Sequence, residues 1–261
     1  MNKSKGSCFV FLLGLGLSVT QAIAQRGFQG EPPSAREVAY FDLSGYWVPI
    51  ITEDWRFRMV TPPIGDFGGV PLNTEGQRLA NAWNPEVDIA AGNECKAYGV
   101  GGIMRMPTRL RISWENNETL RIDSDAGRQR RLLYFQADNL PSNHSLQGSS
   151  LTSWEKQQQS SGFNPFAATE GPGTLVVETD NVMEGYLRKN GIPYSEEATI
   201  KEYFVRHDDF GYSWFTVTTI VEDPVYLSRS FITSTHFRKE PNGNNWNPSP
   251  CEITEPVSLS Q

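Results

Sequence analysis

The stretch from Thr199 to Arg238 constrains the fold most strongly, because it reads as three consecutive antiparallel strands. Thr199–Arg206 and Tyr212–Val221 are rich in β-branched and aromatic residues, which favour a pleated sheet. Pro224 ends the second run, and Arg229–Phe237 forms the third. An antiparallel sheet is therefore the expected centre of the fold.

The two faces of this sheet are both mixed in polarity. Alternate residues of a strand share a face, so Phe215 lies on one side and Trp214 and Thr216 on the other. Glu202 and His236 add ionisable groups within the flanking strands. This pattern is typical of a barrel wall between a core and a semi-polar cavity.

The rest of the chain supplies more strands and one short helix. The helix is predicted at Asn73–Trp83, where a capping residue is followed by an early glutamate. Residues 136–173 are rich in Ser, Gln, Asn, Gly and Pro, which indicates an irregular lid or insertion. The further predicted strands are Trp47–Thr52, Glu53–Met59, Arg109–Trp114, Thr119–Asp123, Gln129–Phe135 and Gly173–Thr179.

The ends of the chain indicate export and one folded domain. Two lysines, a short apolar run and Ala22-Ile-Ala24 predict a signal peptide over residues 1–24. A flexible leader is expected at 25–40, a barrel domain at 41–251 and a tail at 252–261. A periplasmic or secreted protein without an integral membrane segment follows, since no later segment approaches the ~20 apolar residues of a span.

Charge and cysteine usage narrow the function classes. The formal net charge is −7, which argues against nucleic acid as a partner. Removal of Cys8 with the signal peptide leaves Cys95 and Cys251, and an oxidising compartment favours a disulfide between them. A catalytic thiol at Cys95 is the alternative. The oligomeric state is not indicated.

Two features carry a resemblance to known proteins. Gly45-Tyr46-Trp47 resembles the Gly-x-Trp element of the first strand in lipocalin-like barrels. The stretches Gly173–Thr179, Gly185–Ser195 and Ile220–Pro224 are similar to those of a group of exported bacterial proteins whose activity is not established. The resemblance implies an all-β fold with a single lipocalin-like antiparallel barrel, and it brings no catalytic residue with it.

Candidate site residues are charged or aromatic groups within or beside strands, where charge is costly unless it is paired. Standard hydrolase, phosphate-loop and zinc motifs are missing from the sequence, so no cofactor or metal ion is expected. The acid–base candidates are Glu202, His236 and Tyr186. The candidates for substrate binding are Arg56, Arg58, Arg188, Trp55 and Trp214. A structural role for each remains the alternative, as charged residues of a barrel often face water or form cross-strand pairs.

Three functions remain open from the sequence. The first is a barrel that encloses a small molecule with an apolar or aromatic body and a polar handle. The second is a cofactor-independent lyase, isomerase or hydratase that uses inward Arg, Glu, His and Tyr groups. The third is a scaffold whose barrel is filled by its own side chains.

Overall fold

A closed barrel of nine strands forms the body of the protein. The computed structural model describes residues 32–160 and 168–258, with the side chains of 157–160 and 168–172 excepted. The predicted signal peptide therefore lies outside the described residues. Around the barrel the strands follow the order β1-β11-β10-β9-β6-β5-β4-β3-β2. Their bounds are β1 Gly45–Ile50, β2 Leu110–Asn116, β3 Thr119–Ser124, β4 Arg130–Tyr134, β5 Ser149–Ser160, β6 Ala168–Asp180, β9 Thr199–Asp209, β10 Tyr212–Glu222 and β11 Phe231–Glu240.

One pair of neighbouring strands departs from the predicted antiparallel pattern. β4 and β5 are parallel, with Leu133 opposite Ser150, whereas every other adjacent pair in the barrel is antiparallel. A closed ring with an odd number of strands cannot alternate direction throughout, so one parallel pair is unavoidable. The chain accommodates it with a long return between β4 and β5, because parallel neighbours need a crossover.

Packed side chains occupy the inward face of the strands. Trp47, Phe204, Phe215 and Phe237 are fully buried, and the Phe215 ring lies 4.8 Å from Trp47 and 4.7 Å from Phe237. Further buried residues of the same cluster are Leu110, Ile112, Leu120, Ile122, Leu133, Leu175, Val177 and Val217. The inward faces thus form a hydrophobic core where the sequence analysis predicted a semi-polar cavity.

Helices and a hairpin cap one end of the barrel. The helices are α1 Trp55–Arg58, α2 Thr74–Ala82 and α3 Pro85–Ala91, and the hairpin pairs β7 Gly185–Arg188 with β8 Ile192–Tyr194. The predicted α2 is confirmed, and the Asn73 side chain accepts a hydrogen bond from the Gly76 amide at 2.9 Å. The predicted disulfide is also confirmed, because Cys95 of the cap is bonded to Cys251. No helix in the described part of the chain is long and apolar enough to cross a membrane.

The segment before β1 closes the opposite end of the barrel. The Trp154 indole donates to the Ala35 carbonyl at 3.2 Å, and Tyr40 and Phe41 pack edge-on against the Trp154 ring. A Cβ on Gly173 would lie only 2.1 Å from Tyr40, so glycine is needed there for the tyrosine to pack on the strand. Part of the predicted leader thus contacts the barrel through Ala35 and Tyr40. Its predicted flexibility stays a prediction, and residues 25–31 lie outside the described part.

Three further sequence predictions are corrected. The predicted strand Glu53–Met59 contains the helical turn α1, because its charged residues pair with the cap instead of joining the sheet. The predicted irregular segment 136–173 contains β5 and much of β6; residues 161–167 of it are not described. The described chain holds three short α-helices where one was predicted. The tail also packs on the cap as far as Val257, whose amide donates to the Thr61 carbonyl at 2.9 Å.

Candidate functional site

A cleft of about 500 Å³ lies between the cap and the start of β11. It is open to solvent, and three segments distant in the sequence form its walls: the turn after β1, the loop before α2 and the first residues of β11. Residues from the cap complete it. Its lining residues are Thr52, Glu53, Asp54, Gly68, Gly69, Arg105, Arg188, Phe231, Ile232, Thr233, Ser234 and His236.

Arg188, at the end of β7, is the most unusual charge in the cleft. Its Nη1 donates to the Gly68 carbonyl at 2.8 Å, and its guanidinium lies over the Phe57 ring, 3.8 Å from the centroid. No carboxylate of the described residues lies within ion-pair distance of it. Burial, only partly offset by the attraction of Asp54, lowers the pKa of Arg188 to about 10. It stays charged at neutral pH and is a ready partner for an anion.

Arg105 is held by two carboxylates at the edge of the same cleft. Its Nη2 lies 2.7 Å from Asp54, and its Nη1 lies 3.1 Å from Glu53 and donates to the Ser234 carbonyl at 2.9 Å. Burial raises the pKa of Glu53, but the Thr52 hydroxyl and the nearby guanidinium groups outweigh burial, so the net shift is downward. Glu53 is therefore a stable anion that organises the cations around it.

Arg58 lies behind the cleft and is almost fully buried. Its Nη1 lies 2.6 Å from Glu53, and its Nε donates to the Arg105 carbonyl at 3.1 Å. Its Nη2 is buried without a hydrogen-bond partner among the described residues. Burial and repulsion by Arg105 lower the pKa of Arg58 to about 10, so a charged group is kept in a poorly solvated position.

His236 is the acid–base candidate that lines this cleft. It lies on the outer face of β11, where its Nδ1 is 2.9 Å from the Thr216 hydroxyl of β10. This contact fixes the ring on the sheet, and the imidazole is exposed to the solvent of the cleft. The ring therefore faces the space that a molecule bound in the cleft would occupy.

Glu202 lies on the opposite side of the barrel wall, inside the core. It is fully buried, and its Oε2 is 2.5 Å from Nη1 of Arg131 on β4. Arg131 in turn donates to Ser150 at 3.1 Å and to Thr179 at 2.8 Å. The Glu202 side chain points inward, and the barrel wall separates it from His236, which is exposed on the outer face.

Tyr186 lies in a separate depression of about 270 Å³ in the cap. Its hydroxyl donates to Asp88 at 2.7 Å, and the Trp83 indole donates to the same carboxylate oxygen at 2.7 Å. Burial and the hydrogen bond to Asp88 raise the pKa of Tyr186. A neutral tyrosine bonded to a carboxylate joins β7 to α3, and it does not line the cleft.

The remaining candidates occupy scattered positions. Arg56 and Arg58 were expected to share a strand face, but the helical turn α1 sends Arg56 outward to pair with Asp66 at 3.2 Å. Trp55 is 60% exposed. Trp214 is on the outer face of β10, and its indole donates to the Asp209 carbonyl at 3.1 Å. Of the eight predicted site residues, Arg188 and His236 line the cleft, and Arg58 lies directly behind it.

Sequence reasoning missed Arg105 and Phe57. Arg105 is the one cation in the apolar run Ile103–Pro107, and a lone charge among apolar residues needs a partner. That pattern was the available signal. Phe57 had no such signal, because its place under Arg188 depends on α1 and on the distant hairpin.

Comparisons with known proteins assign neither a family nor a function to this chain. No family model, no curated protein and no solved structure matches the chain. The barrel is consistent with the predicted lipocalin-like fold, and membership of the exported bacterial group stays a prediction. Within the described residues, no group of three His, Cys, Asp or Glu side chains is placed to hold a metal ion.

Proposed function

We propose that this is an exported protein that binds a small molecule with an apolar or aromatic body and an anionic handle in the cleft beside β11. The observation that carries the proposal is Arg188, a half-buried guanidinium without a carboxylate partner among the described residues. A carboxylate on the ligand would supply the missing anion and engage the guanidinium through paired hydrogen bonds. The disulfide fits an oxidising compartment.

The cleft also offers contacts for the body of such a ligand. Ile232 is 60% exposed and lies next to Phe231 on the wall formed by β11. A second groove of about 460 Å³ lies beside the ends of β6 and β10. Lys201, the one cation among the described residues that line it, is paired with Glu178 at 2.7 Å. The cleft therefore suits an anionic ligand better than this groove does, because Arg188 has no carboxylate partner among the described residues.

The test uses phenylacetate and its neutral analogue phenylacetamide as probes in isothermal titration calorimetry. We expect phenylacetate to bind and phenylacetamide to bind at least tenfold more weakly, because the amide carries no charge. Arg188→Gln should weaken phenylacetate binding by about 10- to 100-fold, as a hydrogen bond to a charged group contributes ~1.5–3 kcal/mol. The matched control is Arg78→Gln, which removes an exposed arginine paired with Glu75 on α2.

Equal affinity for the two probes, or equal binding by the wild type and Arg188→Gln, would contradict the proposal. If larger aromatic carboxylates also bind the wild type and Arg188→Gln equally well, the proposal is contradicted for aromatic carboxylates as a class.

A cofactor-independent isomerase or lyase is the second candidate, and the position of His236 in the same cleft favours it. A guanidinium can stabilise an enolate oxygen while an imidazole moves the proton. Solvent-deuterium incorporation into a bound ligand, followed by NMR, tests this function. His236→Gln should abolish the exchange and change the affinity less than threefold, whereas exchange that persists in this variant would rule out His236 as the base.

A further inference from the structure

The groove of about 460 Å³ beside the ends of β6 and β10 lies on the outer wall of the barrel. Strands β5, β6, β9 and β10, which are neighbours in the barrel, form it together with Leu140 from the return between β4 and β5. None of its described lining residues also lines the cleft beside β11. Its volume falls within the range of about 300–1,000 Å³ that small-molecule sites occupy.

The strand register brings apolar side chains to both sides of an ion pair in this groove. Leu151 of β5 lies opposite Glu178 of β6. Lys201 of β9 lies between Glu178 and Ile220 of β10. Glu178 and Lys201 neutralise each other at 2.7 Å, whereas Leu151 is 37% exposed and lines the groove with Ile220 and Leu140. These apolar side chains offer contacts for the body of a ligand.

The other two charged groups of the groove are carboxylates without a cation. Asp180 and Glu222 lie two residues beyond Glu178 and Ile220 on the same strands, so alternation places them on the same outward face. Neither forms an ion pair with a described residue, and Glu222 accepts a hydrogen bond from the Ser230 hydroxyl at 3.1 Å. Three carboxylates minus one ammonium leave an excess of two negative charges among the described lining residues.

Carboxylates on other strands of the outer wall are compensated by arginine. Glu115 of β2, Asp123 of β3 and Glu240 of β11 each pair with an arginine, at 3.3, 2.9 and 3.0 Å. At the groove, by contrast, Lys201 is the one cation that the described lining residues supply. The excess negative charge is therefore a local property of this concave part of the wall.

We propose that the groove binds a small organic cation, which carries a protonated or quaternary amine on an apolar body. The body packs on Leu140, Leu151 and Ile220, and the positive charge lies towards Asp180 and Glu222. A carboxylate ligand is repelled by the excess negative charge, and a neutral ligand gains no such attraction. The concave shape and apolar walls make the groove a ligand site, and the carboxylates select the sign of the ligand's charge.

Isothermal titration calorimetry tests the charge preference with para-bromobenzylamine, which is protonated at neutral pH, and its neutral analogue para-bromobenzyl alcohol. The wild type should bind the amine at least about fivefold more tightly than the alcohol, since exposed ion pairs contribute modestly. In the double variant Asp180→Asn with Glu222→Gln, the two affinities should agree within about twofold. The matched control, Glu86→Gln with Glu255→Gln, removes two exposed carboxylates outside the groove and should keep the preference.

Three results would overturn the proposal: no binding of the amine by the wild type, equal affinity for the two probes, or a preference that survives in the double variant. Arg188→Gln removes the anion-binding group proposed for the cleft and should leave the amine affinity unchanged. Loss of amine binding in Arg188→Gln would assign the amine to the cleft and also overturn the proposal. The two proposed sites can thus fail separately.

The bromine atom also locates the amine, because its anomalous scattering identifies it in a crystal. Wild-type crystals soaked with para-bromobenzylamine should show an anomalous peak in the groove, beside Leu151 and Ile220. Peaks confined to other surfaces would contradict the proposal. Sedimentation equilibrium tests the alternative occupant, a second copy of the chain. The wild type should be unaffected by Leu151→Asp in its oligomeric state, and a dimer that this variant dissociates would refute the small-molecule site.

Discussion

The buried ion pair between Arg131 and Glu202 gives the sharpest prediction about stability. Their side chains are 3% and 0% exposed, and the charged atoms are 2.5 Å apart. Glu202→Gln keeps the shape of the side chain but removes the negative charge, so the guanidinium stays buried without compensation. Breaking such a pair typically costs ~3–5 kcal/mol, a large part of the ~5–15 kcal/mol that stabilises most domains.

Urea unfolding followed by tryptophan fluorescence measures this loss. With a slope of ~3 kcal/mol/M, at the upper end of the usual range, the midpoint should fall by about 1–1.7 M. The control is Glu178→Gln. Glu178 of β6 pairs with Lys201, which lies on the outer face of β9, the strand that carries Glu202. The two side chains are 60% and 40% exposed, and replacing Glu178 should cost ~1 kcal/mol or less.

A double variant separates the cost of lost charge compensation from other effects. Arg131→Met combined with Glu202→Leu removes both charges, and apolar replacement of a buried pair is often neutral or stabilising. The hydrogen bond of 2.8 Å between Ser150 and Thr179 can persist without them. The double variant should therefore recover most of the loss. If Glu202→Gln costs no more than the surface control, or if the double variant is as unstable as the single one, the reasoning is refuted.

Three further predictions concern the cap. Replacing Cys95 and Cys251 by serine should destabilise the protein by up to about 5 kcal/mol in chemical unfolding, because the bond closes a loop with a sequence separation of 156. Tyr186→Phe should cost ~1 kcal/mol by removing one hydrogen bond to Asp88. In ultraviolet titration the number of tyrosines that ionise above their usual range, Tyr194 among them, should be smaller by one in this variant than in the wild type. The folded-state pKa of Glu53 lies below its ordinary value of 4.5, so its contribution is complete above that pH and is lost as the pH falls through the folded value. The difference in unfolding free energy between the wild type and Glu53→Gln should therefore shrink in acid, and a difference that stays constant down to pH 2 would contradict this.

Local sequence patterns were sufficient for the elements that depend on neighbouring residues. The three strands from Thr199 onward and the meander β2–β4 were predicted because alternation and turn residues act within a few positions. The helix α2 had its own cap at Asn73. The disulfide was predicted by counting cysteines in a chain expected to be exported, and not from geometry.

Elements that depend on distant partners were not predicted. The alternation of arginine and aromatic residues around Phe57 is compatible with a strand. Ion pairs from Arg105 instead hold Glu53 and Asp54, and the helical turn α1 begins directly after them. The polar composition of β5 did not indicate a long strand. The strand forms because its backbone pairs with that of β6 over most of its length. In both cases tertiary contacts override the local preference.

The filled barrel determines where any ligand chemistry can occur. Trp47 and Phe215 fill its middle, the cap covers one end, and Tyr40 packs across the other. The ionisable pair in its core is satisfied by its own partners, so it has no capacity left for a ligand. Where the cap meets β11, by contrast, Arg188 has a backbone carbonyl as its hydrogen-bond acceptor and no carboxylate of the described residues within ion-pair distance. An anionic ligand of the kind proposed above would supply an acceptor at this junction, where the described chain offers Arg188 none but a backbone carbonyl.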